Sequence, residues 1–259
     1  MQSTSTFMRL ASCATLGALS LLAGQAHAQA VITQSSALAG NVSPGDTAGF
    51  PITLSQPGNY KLMSNLVVPA GTIGVEITSP NVTLDLNGFT IAGPVTCTRN
   101  TSTYAVTCTS SYFSARGVSI NQTGGSSTVR NGTVQGFYLG IYTAAGEANV
   151  ENVSARHNGY AGMVLNDGGR ISDSVVELNS LYGISAMYTS MYRVTARFNG
   201  SAGISGLGLA PLYDSYAQYN GGVGVYGMTL RGVVLANNKS GNTQNVLSLG
   251  GNASSNTVF

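Results

Sequence analysis

The chain has 259 residues, of which 34 are glycine and none is tryptophan, and its formal net charge is +2. Charged residues make up 8% of the chain, against about 25% in an average soluble domain. A net charge this close to neutral does not suggest nucleic acid or an anionic membrane as a partner, so neither is expected.

Residues 1–28 are predicted to be a secretory signal. Arg9 supplies the positive charge, residues 10–24 form the apolar stretch, and Ala26 and Ala28 are the small residues of a cleavage site. A lipoprotein signal at Cys13 is rejected, because the apolar stretch follows that cysteine instead of preceding it. No later segment approaches the ~20 apolar residues of a membrane span. We therefore expect no transmembrane segment, and a secreted or periplasmic chain after cleavage near Ala28.

Two irregular stretches precede the main repeat. Residues 29–50 are small and polar, which predicts a linker or an N-terminal cap. Residues 92–116 are rich in Thr and Ser and are predicted to project as a loop insertion. This insertion holds Cys97 and Cys108, which we expect to form a disulfide in an oxidising compartment. A lone cysteine pair without a nearby histidine argues against zinc, and no metal site is predicted.

A repeat with a period of 20 to 23 residues runs through the rest of the chain. One marker is a glycine before a short β-prone triplet, at Gly117, Gly140, Gly162, Gly183, Gly203 and Gly224. A second marker is an asparagine, at Asn158, Asn179, Asn199, Asn220 and Asn238. A fixed period of this length indicates stacked coils, each of which buries its apolar side chains against its neighbours. The segments are rich in Val, Ile, Thr and Tyr, which predicts short strands and not the helices of a leucine-rich repeat.

Alignment of the repeats predicts which side chains point inward. Strand alternation places three columns on the inner side: Val150, Ile171, Met191, Leu212 and Leu230; Ala155, Val176, Ala196, Ala217 and Leu235; and His157, Leu178, Phe198 and Tyr219. Two further columns are predicted to form outward ladders of alternating charge: Arg156, Glu177, Arg197 and Gln218; and Asp173, Arg193 and Asp214. The asparagines are expected at turns, where they tolerate left-handed backbone and their amides bond along the coil axis.

Two upstream segments carry a resemblance to a known family. Residues 56–62 and 74–91 resemble the opening coils of the right-handed parallel β-helix superfamily, which includes pectate lyases and polygalacturonases. The resemblance covers roughly residues 50–240. It implies an all-β, single-stranded right-handed parallel β-helix of about seven to eight coils, over residues 51–259. It says little about activity, because this superfamily holds enzymes, binding proteins and surface proteins alike.

The catalytic signal is weak, and whether the chain is an enzyme stays open. A lyase of the pectate type needs clustered acids that hold calcium beside a basic residue, but only nine acids are present. The best candidates are Asp173 and Asp214, which stacking places ~9.6 Å apart with Arg193 between them. Arg193 would keep both acids ionised, which favours a salt-bridge ladder over an acid–base pair. The motifs of polygalacturonases and alginate epimerases are absent. His157, the only histidine after the signal, is predicted to be packed in the core.

Tyr192 and Tyr213 are the candidate ligand-binding residues, since they are aligned on successive coils beside this charge ladder. Sugar rings stack on aromatic faces, although the same pair could simply stabilise the sheet across strands. Three hypotheses follow. The first is a non-catalytic exported scaffold that binds extracellular polysaccharide or a surface. The second is a divergent polysaccharide lyase or glycoside hydrolase, for which alone calcium would be a cofactor. The third is a structural or adhesive surface protein.

Overall fold

The computed structural model describes residues 29–109, 112–208, 210–248 and 257–258. The chain forms an all-β parallel solenoid of about nine turns, which confirms the predicted fold class. The predicted count of seven to eight coils was slightly low, because the first turns lack the repeated glycine and asparagine. The predicted signal, residues 1–28, lies outside the described residues.

The secondary structure consists of one short helix and many short strands. The helix α1 is Gln34–Ala39. The strands are β1 (Ala30–Ile32), β2 (Ile52–Leu54), β3 (Gly58–Leu62), β4 (Leu66–Val67), β5 (Ile73–Ile77), β6 (Val82–Asp85), β7 (Thr90–Ala92), β8 (Cys97–Arg99), β9 (Val106–Cys108), β10 (Arg116–Gln135), β11 (Leu139–Arg156), β12 (Ala161–Leu165), β13 (Gly169–Ser172), β14 (Val175–Glu177), β15 (Tyr182–Met187), β16 (Thr189–Tyr192), β17 (Thr195–Arg197), β18 (Ile204–Leu207), β19 (Pro211–Tyr213), β20 (Tyr216–Gln218), β21 (Val225–Tyr226), β22 (Thr229–Arg231), β23 (Val234–Ala236), β24 (Thr243–Gln244), β25 (Leu247–Ser248) and β26 (Thr257–Val258).

The strands form three parallel sheets, one on each side of the solenoid. Sheet 1 contains β2, β5, β12, β15, β18, β21 and β24, sheet 2 contains β1, β3, β6, β13, β16, β19, β22 and β25, and sheet 3 contains β4, β7, β14, β17, β20, β23 and β26. The long strands β10 and β11 pass through all three sheets. We call the turn from sheet 1 to sheet 2 corner 1, from sheet 2 to sheet 3 corner 2, and from sheet 3 to sheet 1 corner 3.

The first two predicted inward columns form the core. Val150, Ile171, Met191 and Leu212 are stacked in register in sheet 2 and have no solvent exposure. The column that begins with Ala155 is likewise stacked and buried in sheet 3. Full burial of a Val, Leu, Ile or Met side chain contributes about 1.5–3 kcal/mol. A core that runs the length of the solenoid therefore holds successive turns together.

The prediction for the third column was wrong. His157, Leu178, Phe198 and Tyr219 lie at corner 3 with φ between 52° and 59°, and all four are half-exposed. A residue in the left-handed region interrupts the strand alternation, so its side chain leaves the inner side. His157 is therefore not a packed core residue. The left-handed position had been expected at the asparagine, but it falls one residue earlier.

The asparagines form a continuous buried ladder inside corner 3. Nδ2 of Asn158 donates to Oδ1 of Asn179 at 3.0 Å, and Nδ2 of Asn179 donates to Oδ1 of Asn199 at 2.9 Å. The chain of amide bonds continues through Asn220 to Asn238. Each acceptor oxygen also takes the backbone N–H of the preceding asparagine, so the ladder satisfies buried backbone donors as well. The predicted hydrogen bonding along the axis is confirmed.

The first turn carries its own edge protection. Thr33 caps α1 by accepting a hydrogen bond from the backbone N–H of Ser36, and Ala37 packs into the core. The side-chain oxygen of Gln34 accepts the backbone N–H of Val67 at 2.8 Å, on the edge strand β4. An unpaired edge strand exposes backbone donors and acceptors to other chains. The bond from Gln34 satisfies one of these donors, the N–H of Val67. A domain boundary at residue 51 stays a prediction.

The insertion between β7 and β10 is an antiparallel hairpin of β8 and β9, closed by the disulfide between Cys97 and Cys108. It does not project, as had been predicted, but folds back over corner 3. The guanidinium of Arg99 lies 4.4 Å from the ring centroid of Tyr104 and 4.7 Å from that of Phe198. Nζ of Lys239 donates to the backbone oxygen of Ser102 at 3.0 Å. The hairpin therefore spans several turns of the solenoid.

Removal of this disulfide by Cys97→Ser together with Cys108→Ser is expected to lower the free energy of unfolding by about 2–3 kcal/mol. The reason is that the unfolded chain gains conformational entropy when the loop between the two cysteines is no longer closed. Denaturant unfolding and limited proteolysis measure the effect, with new cleavage expected within residues 93–115. The control is Thr98→Ser together with Thr107→Ser, which changes two exposed residues of the same hairpin and keeps the disulfide. Unchanged stability and protease resistance would show that packing against corner 3 holds the hairpin without the disulfide.

Within the described residues, none of the helical structure is long and apolar enough to cross a membrane.

Candidate functional site

Corner 2 brings the sequence-predicted site residues together. Asp173, Arg193 and Asp214 occupy equivalent corner positions on three successive turns, with φ of 53°, 50° and 47°. Left-handed backbone at each position directs the side chain outward, away from the core. Tyr192 and Tyr213, the last residues of β16 and β19, precede two of them and are paired in register. We call these five residues the charged corner.

A bidentate ion pair dominates the charged corner. Nε of Arg193 lies 2.6 Å from Oδ1 of Asp173, and its Nη2 donates to Oδ2 at 2.8 Å. The hydrogen bonds from Arg193 hold the pKa of Asp173 below its usual value. The same bonds raise the pKa of Arg193, to which Asp214 adds a weaker attraction. Asp173 is therefore ionised at neutral pH and is poorly suited to donate a proton.

Asp173→Asn is expected to leave stability unchanged at pH 7 in a denaturant titration, because exposed ion pairs contribute little. The folded-state pKa of Asp173 is lowered, so any contribution is present above the ordinary aspartate pKa and is lost as the pH falls through the folded value. Parallel titrations at pH 7 and pH 3 provide the measurement. A large loss at pH 7 alone would show that the pair holds corner 2 together.

The two candidate tyrosines stack on each other. The ring centroids of Tyr192 and Tyr213 are 4.9 Å apart with an interplanar angle of 24°. The guanidinium of Arg170 lies 4.6 Å from the centroid of Tyr192. A parallel ring pair covers the facing sides of both rings, which leaves edges and hydroxyl groups for a ligand. This arrangement suits cross-strand stabilisation and contact with a ligand at the ring edges.

A second aromatic surface, which the sequence analysis missed, runs beside corner 3 and sheet 1. Ring centroids are 4.9 Å apart from Phe113 to Tyr138, 5.1 Å from Tyr138 to Tyr160 and 5.7 Å from Tyr160 to Tyr182. We call these four residues the aromatic row. The interplanar angles are 71°, 34° and 60°, so two of the three contacts are edge-on, unlike the stacked pair. The available signal was a tyrosine one or two residues before three consecutive repeat glycines.

The aromatic row ends in a shallow groove of about 360 Å³ on the outside of sheet 1. Tyr182 and Tyr226 contribute its aromatic rings, and polar groups come from Ser201, Ser205, Ser240 and Gln244. Nδ2 of Asn245 donates to the hydroxyl of Tyr226 at 3.1 Å, which fixes that ring. We call this the tyrosine groove. It is a concave surface with rings on it and polar groups around it, which is the usual composition of a ligand site.

Most of the remaining acids have structural partners. Glu177 pairs with Arg197 at 2.8 Å, which confirms one step of the predicted ladder, whereas Nε of Arg156 donates to Gln135 instead. Asp85 lies 3.2 Å from Arg130. Among the residues that the structure describes, no group of three or more His, Cys, Asp or Glu is placed to hold a metal ion. The pKa of His157 is lowered, first by burial and then by Arg156.

Comparison with known proteins gives one solved structure to report. No family model matches the chain, and no curated protein matches it. A crystal structure of the Dettilon tailspike protein is similar, with 17% sequence identity and a TM-score of 0.45. The match covers 78% of this chain but only 39% of that protein, so the chain spans less than half of its length. The likeness to pectate lyases and polygalacturonases stays a resemblance of the sequence.

Proposed function

We propose that the chain is an exported, non-catalytic scaffold that binds extracellular polysaccharide along its outer surface. The observation that carries this proposal is the aromatic row, in which rings recur once per turn along the solenoid axis. Aromatic rings offer apolar faces to sugar rings, and the tyrosine hydroxyls add a polar end. A linear glycan that lies parallel to the axis would meet one ring after another, and several weak contacts would add up along it.

The charged corner supports binding over catalysis. A glycoside hydrolase needs one carboxylic acid with a raised pKa and one free carboxylate. Asp173 instead has a lowered pKa and is held by Arg193. A lyase or hydrolase stays the alternative, with Asp173, Arg193 and Asp214 as its candidate residues and calcium as its cofactor in the lyase case.

A screen of the full chain for polysaccharide binding and depolymerisation, with calcium and with chelator, tests the proposal. We expect retention on at least one polysaccharide without new reducing ends or unsaturated products. Tyr138→Ala together with Tyr160→Ala should weaken that retention, whereas Asp173→Asn should not. New chain ends that disappear in Asp173→Asn or Asp214→Asn would establish an enzyme at the charged corner.

One observation favours a structural or adhesive role as a second candidate. The first turns expose four apolar side chains: Val31 by 54%, Leu38 by 56%, Met63 by 50% and Val67 by 68%. Exposed apolar groups near the end of a solenoid can be covered by a second copy of the chain. Light scattering over a range of concentrations distinguishes the candidates, because self-association would raise the apparent mass with concentration. A constant monomer mass would exclude self-association and leave the polysaccharide-binding scaffold as the remaining candidate.

A further inference from the structure

We infer that the tyrosine groove binds an uncharged glycan and that anionic polymers are poor ligands for it. This inference rests on the proposed function, whose ligand class it specifies. It starts from the distribution of charge over the solenoid. Sheet 1 carries the charged residues Glu76 and Arg116 on turns that precede the groove. Sheet 2 and corner 2 carry nine: Lys61, Asp85, Arg130, Glu151, Arg170, Asp173, Arg193, Asp214 and Arg231.

The tyrosine groove lies on a different side of the solenoid and is uncharged. None of the described residues that line it is acidic or basic. Lys239, the neighbour of Ser240, directs its ammonium to the hairpin, where it bonds to Ser102. A carboxylate of a polyuronate would lose water here without a cation to replace it, and unpaired charge is costly to desolvate. The groove therefore selects against anionic polymers as well as for neutral ones.

The polar groups of the groove suit sugar hydroxyl groups. In the described part of the chain, the side chains of Ser201, Ser205 and Gln244 have no protein hydrogen-bond partner. Hydroxyl and amide groups both donate and accept, as sugar hydroxyl groups do. Hydrogen bonds from these uncharged side chains can therefore orient a sugar that carries no charge itself. The groove is also lined by the small residues Ala202 and Gly222.

The aromatic rings at the groove are already held in place. Tyr182 packs edge-on against Tyr160 at 5.7 Å, and Tyr226 is tied by Asn245. Rings fixed before binding lose little freedom when a ligand arrives, which increases affinity. Tyr182 belongs to both the groove and the aromatic row, so the row extends the groove along the axis. The ligand that fits is a neutral chain that occupies the groove and continues over the row.

Affinity electrophoresis of the full chain through gels that contain defined polysaccharides tests this inference. The neutral probes are xyloglucan, galactomannan and mixed-linkage glucan, and the anionic probes are polygalacturonate and alginate. We expect retardation by a neutral polymer that changes little with salt, because screening acts only on charge. Tyr182→Ala together with Tyr226→Ala should weaken that binding about tenfold or more.

The matched control is Tyr188→Ala with Tyr216→Ala, which removes two exposed tyrosines outside the groove, the aromatic row and the charged corner and should leave neutral-polymer binding unchanged. Tyr182→Phe with Tyr226→Phe keeps both rings and should retain most of the affinity, and circular dichroism verifies that each variant is folded. Binding of anionic polymers alone, lost in Tyr192→Ala with Tyr213→Ala at the charged corner, would overturn this inference and leave the proposed function standing. If binding of a neutral polymer survives the loss of Tyr182 and Tyr226, the tyrosine groove is not the binding site and this inference is wrong. Binding to no polymer would overturn both.

Discussion

Asn199→Ala is expected to lower the free energy of unfolding by about 3 kcal/mol or more, since each buried polar group left without a partner costs about 1–3 kcal/mol. The Asn199 side chain takes part in four hydrogen bonds and has no solvent exposure. Its loss leaves the backbone N–H of Asn179 without its acceptor and removes a donor from the oxygen of Val176. The amide ladder is also broken in the middle, between the turns of Asn179 and Asn220.

Denaturant unfolding of Asn199→Ala beside Asn59→Ala measures this effect. Asn59 is an exposed residue of β3, so its replacement should change stability by no more than about 0.5 kcal/mol. The slope of the denaturant curve should be unchanged if both variants unfold in one step. An effect at Asn199 as small as that at Asn59 would show that water replaces the missing amide, and that the ladder adds little.

Gly183→Ala is expected to destabilise the chain by about 4 kcal/mol, which combines overpacking with the loss of a buried hydrogen bond. A Cβ atom at this position would lie 2.4 Å from the backbone oxygen of Gly203 and 2.8 Å from Nδ2 of Asn199. The equivalent atom at Gly162 would lie 2.9 Å from Nδ2 of Asn179. The repeated glycine is therefore required because the backbone oxygen of the next repeat glycine and the asparagine amide together occupy the space that a side chain would need.

The comparison for Gly183→Ala is Gly45→Ala. Gly45 has a φ of +83° and open space where its Cβ would be, so its replacement carries backbone strain alone, about 1 kcal/mol. Thermal and denaturant unfolding of both variants separate the two effects. A loss at Gly183 no larger than that at Gly45 would show that the neighbouring turn and the ladder shift to accommodate a methyl group.

The buried columns and the asparagine ladder could be predicted from the sequence, because parallel stacking places equivalent residues of successive repeats on top of one another. A periodic pattern such as Val150, Ile171 and Met191 therefore reports directly on a column of contacts. The charged corner could be predicted in the same way, since Asp173, Arg193 and Asp214 share one position of the repeat. The stacking of Tyr192 on Tyr213 follows from the same register.

The backbone at the corners was decided only by the tertiary structure. Whether His157 or Asn158 takes the left-handed conformation depends on where the buried asparagine amide must lie. Because His157 takes it, the column that begins with His157 is half-exposed, although strand alternation had predicted it to point inward. The path of the hairpin over corner 3 depends on contacts such as that between Ser102 and Lys239, 137 residues apart, which no repeat encodes. The tyrosine groove likewise combines the sheet 1 position of Tyr226 with the corner position of Ser201. Periodicity determines what lies above and below a residue, but side-by-side contacts across a corner depend on the shape of the turn.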